Sequence, residues 1–155
     1  MKKLTKLILN LTIVIIIMGI STTSSSAQST LDNYITSFDY EARKEMKVSS
    51  EDIVNLLISS DAILLDIRFL EEQQSWTMPY AKAMPLPEIP GRIEELDKSK
   101  TIVAACPHRD RAIIAMMYLK SKGFDAKYLN EGLLGLADYL RGDRARDFIE
   151  KFDRK

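Results

Sequence analysis

The chain has 155 residues, of which 46% are hydrophobic and 28% are charged, and its 22 basic residues equal its 22 acidic ones in number. This length suits one ordinary domain, and the hydrophobic share is typical of a folded protein rather than a disordered one. Zero net charge argues against a general nucleic-acid binder. The single cysteine excludes an internal disulfide and any thiolate-rich zinc or iron–sulfur site.

The N-terminal segment has the pattern of a secretory signal peptide. Three lysines precede an apolar run over residues 7–20, and small polar residues then lead to Ala27. This order predicts a signal peptide over residues 1–27 that is cleaved after Ala27. The run is short for a membrane span of about 20 residues, but an uncleaved anchor is the alternative, and it would be the only membrane contact. In both cases we expect an exported protein, with the periplasm as its compartment.

Composition changes after the predicted signal. Residues 28–46 are polar and charged with scattered aromatic side chains, and we expect a lead-in whose aromatic residues pack on the domain. The regular pattern covers residues 47–142, which we interpret as the folded domain. Residues 143–155 are expected to form a C-terminal helix or tail.

Short apolar strands alternate with helices in the predicted domain. Ser50 is expected to cap a first helix, and a long loop is expected over residues 69–90. The strands are predicted over residues 62–65, 81–86, 101–105 and 126–129, and the later helices over residues 93–96, 111–122, 133–140 and 144–152. The expected apolar face of the helix at 111–122 consists of Ile113, Ile114, Met117, Tyr118 and Leu119. This alternation predicts a parallel sheet that is covered on both faces, with ligands bound at the carboxyl ends of the strands.

The loop from Cys106 to Arg111 lies at such a strand end, between a predicted strand and a predicted helix. Backbone N–H groups of such a loop can turn inward, and the helix N-terminus adds positive potential. We therefore expect the pKa of Cys106 to be lowered and its sulfur to be a nucleophilic thiolate. His108, Arg109 and Arg111 would add positive groups that hold an anion or stabilise a persulfide.

Four motifs in this order resemble the rhodanese-like sulfurtransferase family. The first is Cys-x-x-x-x-Arg, from Cys106 to Arg111, between a strand and a helix. Residues 64–72 are similar to the family's Asp-Val-Arg strand end, which is followed by a glutamate, here Glu71 or Glu72. Residues 77–86 are similar to its Gly-His-Ile-Pro-Gly-Ala…Ile-Pro-Leu segment, and residues 123–132 to its closing Gly-Phe…Leu-x-Gly-Gly stretch. The resemblance covers residues 47–142.

The resemblance implies a three-layer α/β/α fold with a mostly parallel five-stranded sheet, and Cys106 as the catalytic sulfur acceptor. Cys106 would take sulfane sulfur from a small anion, thiosulfate or polysulfide, and a thiol or cyanide would then remove the outer sulfur from the persulfide. The family needs no metal or organic cofactor. The residues expected to bind the donor or shape the loop are His108, Arg109, Asp110 and Arg111.

Asp66 and Arg68 are expected to support the site as an ion pair at a strand end, and Asp110 is expected to pair with Arg109 or a lysine. Several residues depart from the family pattern: Asp110 adds a negative charge to the loop, and Trp76, Thr77 and Tyr80 replace the family's Gly, His and Gly. Two further departures are Pro107, which lacks an N–H group, and Arg109, which stands where the family often has glycine. Pro107 and Arg109 favour the alternative of a non-catalytic sulfur carrier or partner-binding module. A third hypothesis, phosphatase or arsenate reductase chemistry, ranks last because related folds place five residues between cysteine and arginine, whereas four separate Cys106 from Arg111.

Overall fold

Five short strands form one sheet in this computed structural model, which describes residues 24–154 and the side chains of residues 30–154. The strands are β1 (Lys47–Val48), β2 (Ala62–Asp66), β3 (Lys82–Ala83), β4 (Thr101–Ala105) and β5 (Ala126–Leu129), and they lie in the order β1-β5-β4-β2-β3. Every neighbouring pair is parallel. The predicted signal peptide lies outside the described residues, apart from its last four positions.

Eight helices connect and flank these strands within the described part of the chain. They are α1 (Ser24–Thr36), α2 (Tyr40–Glu45), α3 (Ser50–Ser59), α4 (Leu70–Ser75), α5 (Ile89–Arg92), α6 (Asp110–Ser121), α7 (Gly132–Tyr139) and α8 (Asp143–Phe152). Short 3-10 turns at Leu86–Glu88 and Ile93–Glu95 flank α5. From residue 24 to residue 154, none of the helices has the length and apolarity that crossing a bilayer requires.

The two faces of the sheet are buried by separate groups of side chains, because successive strand residues point to opposite sides. On β4, Ile102 and Ala104 pack on the side of α6, and Cys106 continues this face beyond the strand end. Val103 and Ala105 pack on the other side, with α3, α7 and α8. This arrangement confirms the predicted three-layer α/β/α fold with a parallel five-stranded sheet.

Helix α3 begins one residue earlier than the sequence suggested. Ser49 is the N-cap, and its side-chain oxygen accepts a hydrogen bond from the N–H of Asp52 at 3.1 Å. The prediction that Ser50 is the cap is therefore wrong. The N–H of Ser50 instead donates to the Glu131 carboxylate at 2.8 Å, which ties the start of α3 to the start of α7.

The buried face of α6 also differs from the expected one. Ala112, Ala115, Met116 and Leu119 are fully buried, whereas the Ile114 side chain is 60% exposed. These buried positions follow the i, i+3, i+4, i+7 spacing of one helix face. Small alanine side chains let α6 approach the sheet closely. A prediction based on large apolar residues does not identify a helix face that is formed by alanines.

Two segments that were expected to be irregular contain helices. The predicted loop over residues 69–90 includes α4, and the strand expected at 81–86 is reduced to Lys82–Ala83. The lead-in over residues 28–46 is largely helical, in α1 and α2. Its Tyr34 ring lies 5.0 Å from the Lys120 ammonium of α6, so an aromatic residue of this segment does pack on the domain.

Candidate active site

The strand ends of β2 and β4 bring the predicted site residues to one edge of the sheet. Asp66 is in register with Ala105, and the N–H of Ile67 donates to the Ala105 carbonyl at 3.0 Å. Cys106 follows directly. Because Asp66 is in register with Ala105 rather than Cys106, the Asp66 and Cys106 side chains point to opposite faces of the sheet.

Asp66 and Arg68 form a buried ion pair at the end of β2. The Arg68 guanidinium donates to both Asp66 carboxylate oxygens, with Nη2–Oδ2 at 2.6 Å and Nε–Oδ1 at 2.9 Å. The guanidinium also lies 3.7 Å from the centre of the Trp76 ring and donates to the Trp76 carbonyl at 3.0 Å. These contacts satisfy a charge pair that water does not reach, and they fix the chain on either side of α4.

Helix α7 holds the cysteine loop from its other side. The N–H of Leu133 donates to the Cys106 carbonyl at 2.8 Å, and the N–H of Leu134 donates to the Pro107 carbonyl at 3.2 Å. Gly132 makes this approach possible, because its φ of +67° is unfavourable for other residues and its Cα lies against the loop backbone. The loop is therefore supported by backbone hydrogen bonds at the first two of its positions.

The Cys106 sulfur is buried and receives hydrogen bonds from the backbone N–H groups of Ala112 and His108. These bonds stabilise a thiolate and lower the pKa of Cys106. Burial, the largest influence on this thiol, opposes them, and so does the Asp110 carboxylate, whose Oδ1 accepts the thiol at 3.5 Å. The net effect raises the pKa of Cys106. The prediction of a lowered pKa and a resting thiolate is therefore wrong, because burial of the sulfur and the position of Asp110 beside it raise the pKa, and both depend on tertiary structure.

Arg111 is paired within the chain. Its Nη1 and Nη2 atoms donate to Oε2 and Oε1 of Glu72 at 2.6 and 2.8 Å. Glu72 also accepts the N–H of Phe69 at 3.0 Å. The hydrogen bonds from Arg111 lower the pKa of Glu72 to about 2, and Glu72 raises the pKa of Arg111. The carboxylate of Glu72 thus occupies the place where an external anion was expected.

The remaining loop side chains face solvent. His108 and Arg109 are exposed, and Arg109 forms no ion pair with any described residue. The expected pairing of Asp110 with Arg109 or a lysine is absent from the described part of the chain. Asp110 instead accepts the backbone N–H of Arg111 and the Cys106 thiol, and these bonds lower the pKa of Asp110.

Sequence reasoning missed two residues that shape the site. Glu72 was noted only as the acidic residue after the Asp-Ile-Arg strand end, and its partner Arg111 lies 39 positions further along the chain. Gly132 was noted only as part of the closing motif. Among the described residues no cluster of three acidic, histidine or cysteine side chains is placed to bind a metal ion.

A parallel sheet of this strand order, with a cysteine at the strand-to-helix loop, defines the class of the protein. The chain belongs to the rhodanese-like domain family, whose sequence profile matches residues 49–138. A comparison with curated proteins gave no significant match.

Solved structures with the same fold include three bacterial and archaeal proteins. A rhodanese-like domain protein from Staphylococcus aureus is 24% identical with a TM-score of 0.54, over 58% of this chain and 89% of that one. The BH2092 protein from Bacillus halodurans is 20% identical with a TM-score of 0.59, over 70% and 80%. A rhodanese-related protein from Thermoplasma volcanium is 17% identical with a TM-score of 0.54, over 60% and 91%. At these identities the likeness concerns the fold.

Proposed function

We propose that the protein is an exported rhodanese-like sulfurtransferase. It moves sulfane sulfur from thiosulfate or polysulfide to a thiol or cyanide through a persulfide on Cys106. The observation that supports this proposal is the placement of the Cys106 sulfur at a strand-to-helix loop, where the N–H groups of His108 and Ala112 donate to it.

The transfer occurs in two steps. In the first, the Cys106 thiolate attacks the outer sulfur of thiosulfate, the S–S bond of the donor breaks, and sulfite leaves with its electron pair. In the second, cyanide attacks the outer sulfur of the Cys106 persulfide, and thiocyanate leaves as the thiolate is restored. The thiol proton must leave before the first step, and the Asp110 carboxylate at 3.5 Å is the nearest acceptor.

The loop is better suited to the persulfide than to the resting thiolate. The outer sulfur of a persulfide lies about 2 Å beyond the Cys106 sulfur, so its charge moves out of the most buried position. The inward N–H groups and the helix N-terminus of α6 stabilise negative charge there. The resting state is accordingly a thiol bonded to Asp110, and the charged state is the intermediate.

A second function is favoured by the raised pKa of Cys106 and by Pro107, which supplies no N–H group. Both slow attack on a small donor. A protein with these features could carry sulfur, or bind a partner, without appreciable turnover of small molecules.

Mass spectrometry of the protein after exposure to polysulfide tests the proposal. We expect an adduct of about 32 Da on Cys106, removed by cyanide with formation of thiocyanate and absent from Cys106→Ser. An adduct without thiocyanate formation would favour the carrier, and absence of an adduct would favour partner binding alone. Phosphatase chemistry is tested in the same preparation with a generic aryl phosphate, which we expect to remain intact.

Export is a separate part of the proposal and rests on the order of charges and apolar residues over positions 1–27. Cell fractionation with N-terminal sequencing tests it. We expect a product beginning at Gln28 outside the cytoplasm, and a full-length product in the membrane fraction would instead indicate the anchor.

A further inference from the structure

The segment ahead of the family domain presents a group of exposed apolar side chains. Ile35 at the end of α1 is 58% exposed, Phe38 just after this helix is 42% exposed, and Tyr40 at the start of α2 is 85% exposed. We refer to these three residues as the junction cluster. They lie outside residues 49–138, which match the family, so the fold of that domain does not require them. One exposed apolar residue is ordinary, but a group of large ones indicates a contact surface.

The junction cluster is held in place by the domain. The Tyr34 ring meets the Phe38 ring edge-on, with 5.8 Å between the ring centres, and its own centre lies 5.0 Å from the Lys120 ammonium of α6. After α2, the Met46 carbonyl accepts the N–H of Tyr128 from β5 at 3.0 Å. The exposed side chains are therefore presented on a fixed surface, and docking through them orders little further chain.

Charge does not select the partner of this surface. Residues 38–47 carry equal numbers of acidic and basic side chains: Asp39, Glu41 and Glu45 against Arg43, Lys44 and Lys47. A strongly acidic or basic macromolecule would find no complementary field there.

The composition of the junction cluster suits the interface of a lipid bilayer. A groove of about 230 Å³ lies between Phe38, Tyr40 and Arg43. Tyrosine is enriched at the level of lipid headgroups, because its ring is apolar and its hydroxyl reaches water. The stem of an arginine can lie along apolar surface while its guanidinium contacts the headgroups.

The sequence before the junction cluster is a second, independent indication of a bilayer. The apolar run ends at residue 20 and α1 begins at Ser24, so the cluster follows the run closely along the chain. A chain exported through this run emerges at a membrane, whether the run is later cleaved or kept. From Ser24 to Ile35 the helix rises about 16 Å, whereas an interfacial helix buries its apolar face by about 5–10 Å. Both parts can meet the same bilayer if α1 lies along its surface.

We propose that the junction cluster docks on the surface of a lipid bilayer, with Ile35, Phe38 and Tyr40 inserted among the headgroups and α1 parallel to the membrane plane. This contact is additional to any that residues 1–27 make. Because apolar insertion drives the docking, zwitterionic and anionic phospholipids serve equally.

The docked surface is distant from the cysteine loop. Tyr34, which supports the junction cluster, contacts Lys120 in the last turn of α6, whereas Cys106 precedes the first turn. The intervening helix is about 15 Å long. The cysteine loop therefore stays accessible from water, and the docking does not depend on the chemistry of Cys106.

Spin labels measure the depth of this surface, because Cys106 is the only cysteine and Cys106→Ser removes the competing thiol. Nitroxides are attached at Tyr40→Cys and, as a control, at Ile149→Cys, a 41% exposed position of α8 on the opposite face of the sheet. The full chain is reconstituted into phosphatidylcholine vesicles, and any product that begins at Gln28 is mixed with the same vesicles. Bilayers concentrate oxygen and exclude a polar nickel chelate. We expect the ratio of oxygen to chelate collisions to be several-fold higher at position 40 than at position 149.

A matched pair of isoleucines tests the apolar contact. In the chain labelled at position 40, Ile35→Ser should weaken the docking equilibrium about fivefold, because it removes apolar area that enters the bilayer. Ile114→Ser replaces an isoleucine of α6 with nearly the same exposure, 60%, and should leave the depth unchanged. Addition of salt to about 0.5 M should also leave it unchanged, since screening acts on charges.

Three results would overturn the docking proposal. The first is a label at position 40 that is as accessible to the chelate as the label at position 149. The second is burial that appears only on anionic vesicles and is lost in high salt. The third is protection from both oxygen and chelate without vesicles, which indicates a protein partner or a second copy of the chain.

The sulfurtransferase proposal is tested separately from the docking. Thiocyanate formation by the wild-type protein and by Ile35→Ser should be equal, with or without vesicles, because the junction cluster is distant from Cys106. Failure of either proposal therefore leaves the other intact.

Discussion

Glu72 and Arg111 join the N-terminal turns of two helices on either side of the cysteine loop. The Glu72 carboxylate accepts from Arg111 through both oxygens and also accepts the Phe69 N–H at the start of α4. A carboxylate at a helix start is favoured by the helix dipole, whereas a cation such as Arg111 is not. The pair therefore offsets an unfavourable placement of Arg111 at the start of α6, and it engages both Nη1 and Nη2 of that guanidinium.

Replacement of this carboxylate should weaken the loop support without unfolding the protein. For Glu72→Gln we expect the free energy of unfolding to fall by about 1 kcal/mol, because the hydrogen bonds of the pair are bidentate and charge-assisted but partly exposed to solvent. Urea denaturation measures the change. Glu71→Gln is the matched control, since Glu71 is exposed on the same turn and its replacement should change the free energy of unfolding little.

The stabilisation of the folded protein by Glu72 should depend on pH in a defined direction. The pKa of Glu72 is lowered to about 2 in the folded protein, from 4.5 in the absence of its partners. The stabilisation is therefore complete above about pH 4.5 and is lost as the pH falls toward 2. The difference between wild type and Glu72→Gln should shrink across this interval. A difference that stayed constant down to about pH 2 would contradict the assigned role.

The reactivity of Cys106 should be that of a suppressed thiol. Burial and the Asp110 carboxylate raise its pKa, so we expect slow alkylation by iodoacetamide at neutral pH and an increase in rate only in the alkaline range. Asp110→Asn removes the hydrogen-bond and charge effects of that carboxylate, so it should lower the pKa of Cys106 and shift the rate profile toward lower pH.

Other titratable groups near this thiol limit the size of the shift. Arg111 is held by Glu72, and both remain charged across the neutral range. Asp153→Asn controls for the loss of one negative charge at a distance. An alkylation profile that is identical in wild type and Asp110→Asn would show that burial alone sets the pKa.

The buried ion pair of Asp66 and Arg68 should contribute most strongly to the integrity of the β2 end. Arg68→Met leaves the Asp66 carboxylate buried without its partner, and we expect a loss of about 3–5 kcal/mol. The double variant with Asp66→Leu removes both charges and should be more stable than Arg68→Met alone. Thermal unfolding of the two proteins compares them, and Arg92→Met, at a surface arginine that pairs with Glu88 and Glu95, should be much less destabilising than Arg68→Met. A double variant less stable than the single one would contradict this account.

Local patterns in the sequence predicted the three strands β2, β4 and β5, whereas the two-residue strand β1 was not predicted from them and β3 was predicted too long. The runs ending at Asp66 and Cys106 are short, apolar and bounded by polar residues, which is typical of buried parallel strands, and the two runs do pair with each other. The order of the motifs then fixed the family, which the match over residues 49–138 confirms.

The electrostatics of the loop could not be predicted in the same way. Whether Asp110 faces a cation or the sulfur depends on the orientation of the first turn of α6. The partner of Arg111 is Glu72, which lies 39 positions away in the sequence. The helix α4 was missed because its six residues include no repeated apolar face. These features depend on tertiary contacts rather than on local propensity.

The contact between α7 and the cysteine loop depends on Gly132 having no side chain. A Cβ atom at this position would overlap the His108 carbonyl and lie 2.5 Å from the Pro107 oxygen, and the φ of +67° is itself unfavourable for alanine. For Gly132→Ala we expect a loss of at least about 1–2 kcal/mol, together with displacement of the loop. Displacement should break the hydrogen bond from Leu133 to the Cys106 carbonyl and expose the sulfur, so alkylation of Cys106 should become faster at a given pH. Gly91→Ala is the control, because no atom lies within 4 Å of its Cβ position and the substitution should not destabilise the protein. Wild-type stability and wild-type alkylation in Gly132→Ala would show that the loop is not held through this contact.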